Sequence, residues 1–180
     1  LELFTWPLQM DTAPPPTSID AGAHMSSQPA ITKQEVLQAQ EAWGAAVVGI
    51  GAATKPEDAH RLAEELVHAL YVTDGTLLFR PTLAQVTPFR RTAECAVSYF
   101  VGGSSQHEED HGFALAPWSS VRFDNAGVVS LGQTAQAMGD YYFGKPDGTE
   151  LKVQYSFVYV RAPSGALRIQ LHHSALPYSD

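Results

Sequence analysis

The segment LRIQLHHSALPY, residues 167–178, carries the side chains best suited to chemistry. His172 and His173 are adjacent, and Ser174 follows them. Adjacent histidines suggest a metal chelate, but the surrounding pattern predicts a strand over 166–176. Strand side chains alternate faces. His172 and His173 therefore point to opposite sides of a sheet and cannot hold one ion together. Parity instead joins His172 to Ser174, with Arg168 and Gln170 on the same face and the Cβ atoms of the pair about 7 Å apart. An imidazole moves protons near neutral pH. A serine hydroxyl both donates and accepts hydrogen bonds to a water or an oxyanion. On spacing alone, the alternative is two polar residues on a solvated strand face.

Two more side chains stand out. Pro88 and the glycines at 102–103 predict a helix over 88–101. On a wheel of about 100° per residue, Arg90, Arg91, Glu94 and Ser98 share one side and Tyr99 lies opposite. A tyrosine on a buried arc wants a partner for its hydroxyl, and a core tyrosine bonded to a carbonyl is the alternative. Thr82 sits in the loop before this helix, where a turn role is the local expectation. HEEDH at 107–111 matches the H-E-x-x-H pattern, but that pattern binds zinc only on a helix, where the two histidines share a face. Glycines and serines flank it here, so it reads as a solvated acidic loop.

The elements that must position these residues are legible in part. Thr32 and Glu35 have capping-box spacing, and Val36, Trp43, Val47 and Ile50 recur at helical intervals. Pro56 suits the first position of a second helix, whose stripe is Leu62, Leu66, Ala69 and Leu70, with TDG at 73–75 as its end. TLLF is a short strand. Strands then follow over 117–124, 128–143, 151–162 and 166–176, separated by DNAG, KPDG and APSG as hairpin turns. Tyr155, Phe157 and Tyr159 share one face. Helices first and an antiparallel meander second make an α+β fold: N-terminal helices packed on a curled antiparallel sheet. Such a cone is the architecture of the nuclear-transport-factor-2-like superfamily, and it encloses a pocket between sheet and helices.

Composition sets bounds. One domain suits 180 residues. The reading is a flexible arm over 1–30, rich in Pro, Ser and Ala with GAHM as a cloning remnant, and one cone-fold domain over 31–180. The apolar Leu1, Leu3, Phe4 and Trp6 of the arm could dock by hydrophobic contact. A formal charge of -8 without a basic run argues against nucleic acid. No apolar stretch is long enough to cross a membrane, and no signal-peptide pattern is visible. A single cysteine, Cys95, excludes an intrachain disulfide and cysteine-pair zinc sites.

Taken together, LRIQLHHSALPY, RRTAECAVSYFVGG, HGFALAPW, AMGDYYF and YSFVYVR resemble the iota-class carbonic anhydrases across roughly residues 32–178. That class carries a C-terminal run of histidines followed by serines. Here Leu171 replaces the first histidine and Ala175 the second serine. The resemblance implies reversible hydration of carbon dioxide to bicarbonate, a cone fold and a dimer. It also implies members in plastids and in bacterial periplasm. Some members are described with manganese or zinc and others without metal, and the two replacements weaken a histidine-rich metal site most. In metal-free members the pocket is lined by a threonine, a helix tyrosine and the histidine and serine of the last strand. Those positions correspond to Thr82, Tyr99, His172 and Ser174. The expected chemistry is positional: hydroxyls hold a water beside carbon dioxide, and its proton passes towards His172 and solvent. Two rival readings are an assembly module, as in the association domain of calcium/calmodulin-dependent kinase II, and another cone-fold enzyme using an aspartate base such as Asp140.

Overall fold

The computed structural model describes residues 28–179. The expectations for the arm fall almost wholly outside them. Its last residues are held to the sheet: Gln28 Nε2 donates to the Pro163 carbonyl, and Gln133 Nε2 donates to the Gln28 and Pro29 carbonyls.

Among the described residues, three α-helices and a short 3-10 turn (Phe113–Leu115) pack on a five-stranded sheet. α1 (Lys33–Gly51) opens with the predicted capping box. The Thr32 hydroxyl accepts from the Glu35 amide, and the Glu35 carboxylate accepts from the Thr32 amide. Val36, Trp43, Val47 and Ile50 are buried. α2 (Pro56–Leu70) buries Ala59, Ala63, Leu66 and Val67, so its apolar stripe is rotated from the predicted one and Ala69 is exposed. The helix ends at Leu70. Tyr71 is already extended and bridges to Ile169, ahead of the predicted stop at 73–75.

The sheet runs β1 (Leu78–Arg80), β5 (Leu167–Ala175), β4 (Glu150–Arg161), β3 (Thr134–Gly144), β2 (Ser120–Leu131). Four strands form the antiparallel meander. β1 pairs with β5 in parallel, so the sheet is mixed rather than purely antiparallel. A helix separates β1 from the meander, and that connection is long enough for a parallel pairing.

Two bulges correct the predicted registers. DNAG is not a hairpin turn but the middle of β2, where the pairing shifts between Asn125 and Gly127. The turn is Gly132–Gln133, between the paired Leu131 and Thr134, with Gly132 at a φ of 68°. Opposite the bulge sits Gly139, where a Cβ would lie 2.1 Å from the Asp124 carbonyl oxygen. Only glycine allows the strands to approach there. The second shift lies between Val158 and Tyr159 and leaves Gln170 unpaired in β5. It inverts the alternation at that point. Ile169, His172 and Ser174 face the interior, whereas Arg168 and Gln170 do not share that face as predicted.

Trp43 sits at the centre of the core, edge-on to Phe100, Phe123, Phe143, Phe157 and His172. Tyr155, Phe157 and Tyr159 all point inward from β4 as expected.

Candidate active site

The helix carrying Tyr99 is shorter than predicted. α3 spans Ala93–Val101 and is capped by Thr92, whose hydroxyl accepts from the Cys95 amide. Residues 88–91 stay extended, and Arg90 exchanges backbone hydrogen bonds with Phe79. Arg90 is therefore not on a helix face with Ser98. It is wholly buried, and its guanidinium grips Asp110 with both nitrogens, at 2.8 and 2.9 Å. Ser98 donates to the same carboxylate at 2.5 Å.

HEEDH is a loop, as predicted, but not a solvated one. Asp110 is buried against Arg90 and Ser98. Glu109 accepts from the amides of Gln85, Val86 and Thr87. The Val86, Thr87 and Gln85 amides hold its carboxyl down at about 2. The acidic residues thus clamp two loops together against the start of α3. Among the described residues no three side chains of His, Cys, Asp and Glu converge as metal ligands. Asp140, the carboxylate of the rival enzyme reading, pairs with Lys152 at 2.8 Å. It lies on the face of β3 opposite buried Tyr141.

The structure brings the four predicted residues into one region between β5, β1 and α3. His172 and Ser174 are both 2% exposed on the interior face of β5. The Thr82 hydroxyl donates to the Ser174 hydroxyl at 3.0 Å. Arg80 secures this corner through a 2.7 Å bond from its guanidinium to the Ser174 carbonyl. Tyr99 is 6% exposed and stacks on Phe113 at 5.5 Å. Its hydroxyl finds no hydrogen-bond partner of good geometry among the described residues. Burial pushes that hydroxyl well above its ordinary value of 10.0, while the nearby Leu83 backbone and Thr82 hydroxyl partly oppose the rise. A cavity of about 300 Å³ reaches Tyr99 from outside, lined by the apolar Leu83, Phe113, Trp118 and Leu151 and by the polar Glu109, Asp110 and His111.

His172 is enclosed by aromatic rings, with Phe157 at 4.3 Å and Phe79 at 4.6 Å between centroids. Its Nδ1 lies 2.8 Å from the Tyr71 hydroxyl, which in turn accepts from the Trp43 indole at 2.8 Å. Its Nε2 lies 3.5 Å from the Tyr141 hydroxyl. Burial lowers its pKa well below 6.5, with His173 adding to the effect. The imidazole is neutral at physiological pH.

Residues 34–176 match the family model described as metal-independent carbonic anhydrase. The chain belongs to the metal-independent carbonic anhydrase family. It is 41% identical over 157 residues to a metal-independent carbonic anhydrase from Nostoc sp. strain PCC 7120, covering 84% of this chain and 76% of that one. A crystal structure of the iota-carbonic anhydrase from a cyanobacterium, complexed with bicarbonate, superposes with a TM-score of 0.81 at 38% identity. That match covers 84% of this chain and 95% of the other. A nuclear-transport-factor-2-like superfamily protein from Salmonella enterica has a TM-score of 0.51 at 15% identity, over 81% of this chain and 91% of its own. That likeness shows the cone fold alone. Family members do without a metal by name, in keeping with the absence of a histidine-rich site expected from Leu171 and Ala175.

Tyr71 and Tyr141 carry no individual expectation from the sequence, and Trp43 is legible there only as part of the apolar stripe of α1. Tyr141 had a usable signal, since AMGDYYF alternates and Tyr141 shares parity with the core residue Phe143. Tyr71 had none, because its place depends on a single bridge to Ile169 across 98 positions of chain.

Proposed function

We propose that this chain catalyses the reversible hydration of carbon dioxide without a metal, and that Tyr99 is the residue that relays the proton. One observation carries the reading: the Tyr99 hydroxyl is buried and unpartnered. An unsatisfied buried hydroxyl costs about 1–3 kcal/mol. Tyr159 carries one too, but Tyr99 lines the cavity of about 300 Å³ and Tyr159 does not, so the Tyr99 hydroxyl is the one that something else can reach and engage. In a family of carbonic anhydrases that something is water and carbon dioxide.

A zinc ion would lower the pKa of a bound water from about 15.7 to about 7. Among the described residues that line the cavity, none supplies such a positive charge. Separating a hydroxide and a proton beside side chains as buried as Tyr99 and Ser174 is costly, so the favoured path keeps every reacting partner neutral. The water oxygen attacks carbon as one carbon–oxygen π bond opens. The water gives a proton to the Tyr99 oxygen while Tyr99 gives its own proton to the receiving oxygen of carbon dioxide. Carbonic acid forms, leaves, and ionises to bicarbonate and a proton in solvent. Thr82 and Ser174 orient the water and the developing oxygens by hydrogen bonding. His172 is not the proton acceptor in this reading. Its basicity is suppressed by burial, and it has almost no contact with solvent.

The pH dependence tests this. Tyr99 is shifted up from 10.0 and His172 is shifted down from 6.5, so both stay neutral across the physiological range. Hydration kcat/KM is expected to be flat between about pH 7 and about pH 9. A rise of tenfold or more through that range, as for a metal-bound water losing its proton, contradicts the neutral relay.

A further inference from the structure

The hydrogen bonds around His172 have a direction that follows from donor chemistry. Trp43 Nε1 has a proton to give and no lone pair to offer, so the Tyr71 oxygen is the acceptor in their 2.8 Å contact. Tyr71 keeps one proton, and the facing atom is His172 Nδ1 at 2.8 Å. If Nδ1 carried a proton instead, the Tyr71 proton would be left without an acceptor at a site that is 1% exposed. Nδ1 therefore accepts, and the neutral imidazole carries its proton on Nε2.

We propose that Tyr71, oriented by Trp43, is a positioning residue that locks His172 as the Nε2–H tautomer and so sets the direction of hydrogen bonding into the reaction pocket. The Nε2 proton faces the Tyr141 oxygen at 3.5 Å, the long end of a hydrogen bond. With its oxygen facing the Nε2 proton, Tyr141 has its own proton left to give on its pocket side, where the nearby Ser174 and Thr82 hydroxyls oppose the rise that burial causes in the Tyr141 hydroxyl. Thr82 already donates to Ser174. The chain Trp43–Tyr71–His172–Tyr141 thus delivers protons in one sense, from the core towards the pocket. Oxygens gaining negative charge during hydration would meet donors there rather than lone pairs. Packing preserves the setting, since Phe79, Phe157 and Trp43 surround the imidazole and keep the ring from turning.

The consequence for activity rests on the hydratase reading above, whereas the tautomer does not. Long-range ¹⁵N–¹H NMR of the histidine-labelled full chain separates the two. Wild-type His172 is expected to show the neutral Nε2–H pattern, unchanged between about pH 6 and about pH 9. Tyr71→Phe is expected to lose that preference and to lower hydration kcat about tenfold or more with KM little changed. Tyr141→Phe leaves the Tyr71 contact in place. It is expected to keep the Nε2–H pattern and still lose activity. A wild-type Nδ1–H or imidazolium pattern overturns the proposal, as does a Tyr71→Phe protein with both the wild-type pattern and full kcat. If Tyr71→Phe does not fold, the wild-type spectrum and the Tyr141→Phe pair decide. A wild-type protein that shows the Nε2–H pattern and hydrates no carbon dioxide sinks the hydratase reading alone.

Discussion

Tyr99→Phe lowers carbon dioxide hydration by about 10²–10³-fold and leaves the fold intact. The loss is of the size seen when one preorganised donor to a reacting oxygen is removed. The intact fold follows from the hydroxyl's isolation. Tyr99 makes no hydrogen bond of good geometry within the described structure, and only the nearby Leu83 backbone and Thr82 hydroxyl act on it, so the substitution breaks little and relieves a buried polar group. Its ring contacts with Phe79, Phe100 and Phe113 are kept. The expected melting temperature is equal to or slightly above that of the wild type. This combination separates a reacting group from a structural one. A core tyrosine bonded to a carbonyl would lose stability and leave the chemistry alone. Stopped-flow hydration and a thermal melt on the same sample check both halves, and full activity in the variant removes Tyr99 from the mechanism.

Arg90→Ala destabilises the domain by about 3–5 kcal/mol, the cost of leaving a buried carboxylate without its partner. The guanidinium is fully buried and has four acceptors: the Thr87 carbonyl, Glu109 and both oxygens of Asp110. For a domain of this size that corresponds to roughly 10 °C or more in melting temperature. Arg90→Met combined with Asp110→Leu is expected to be less destabilising than Arg90→Ala, because the second change removes the stranded charge. Denaturant unfolding of both variants tests the pair. A loss under 1 kcal/mol for Arg90→Ala would mean that Asp110 finds water or another donor. Activity is expected to fall with stability. Asp110 ties Ser98, next to Tyr99, to the loop that walls the outer cavity.

How much of this was legible depended on whether a local signal or a register shift decided the outcome. The capping box at Thr32 and Glu35 is complete within four residues, and it formed as read. The clean alternation of β4 placed Tyr155, Phe157 and Tyr159 inward, as read. Parity separated His172 from His173, and those two do face opposite sides. Parity failed further up the same strand because Gln170 bulges, and a one-residue shift exchanges the faces. DNAG has turn composition, yet the sheet absorbs it as a bulge opposite Gly139. Pro88 suggested a helix start, but Thr92 supplied the cap. That moved Arg90 off the helix and into the core. Its partner Asp110 lies within HEEDH, where the histidine spacing of a metal motif carries no sign of a structural anion. The proposed site residues Thr82, Tyr99, His172 and Ser174 come from resemblance to a family, and the fold sets Thr82 against Ser174 and turns His172 inward beside it. The Trp43–Tyr71–His172 chain spans three elements distant in sequence, and only the folded structure joins them.

The most direct test of the central claim is carbon dioxide hydration by stopped-flow pH change, on chelator-treated wild-type protein whose metal content is measured on the same sample. Hydration well above the uncatalysed rate with far less than one metal ion per chain is the predicted result. Activity that vanishes on chelation and returns only with manganese or zinc would contradict the account.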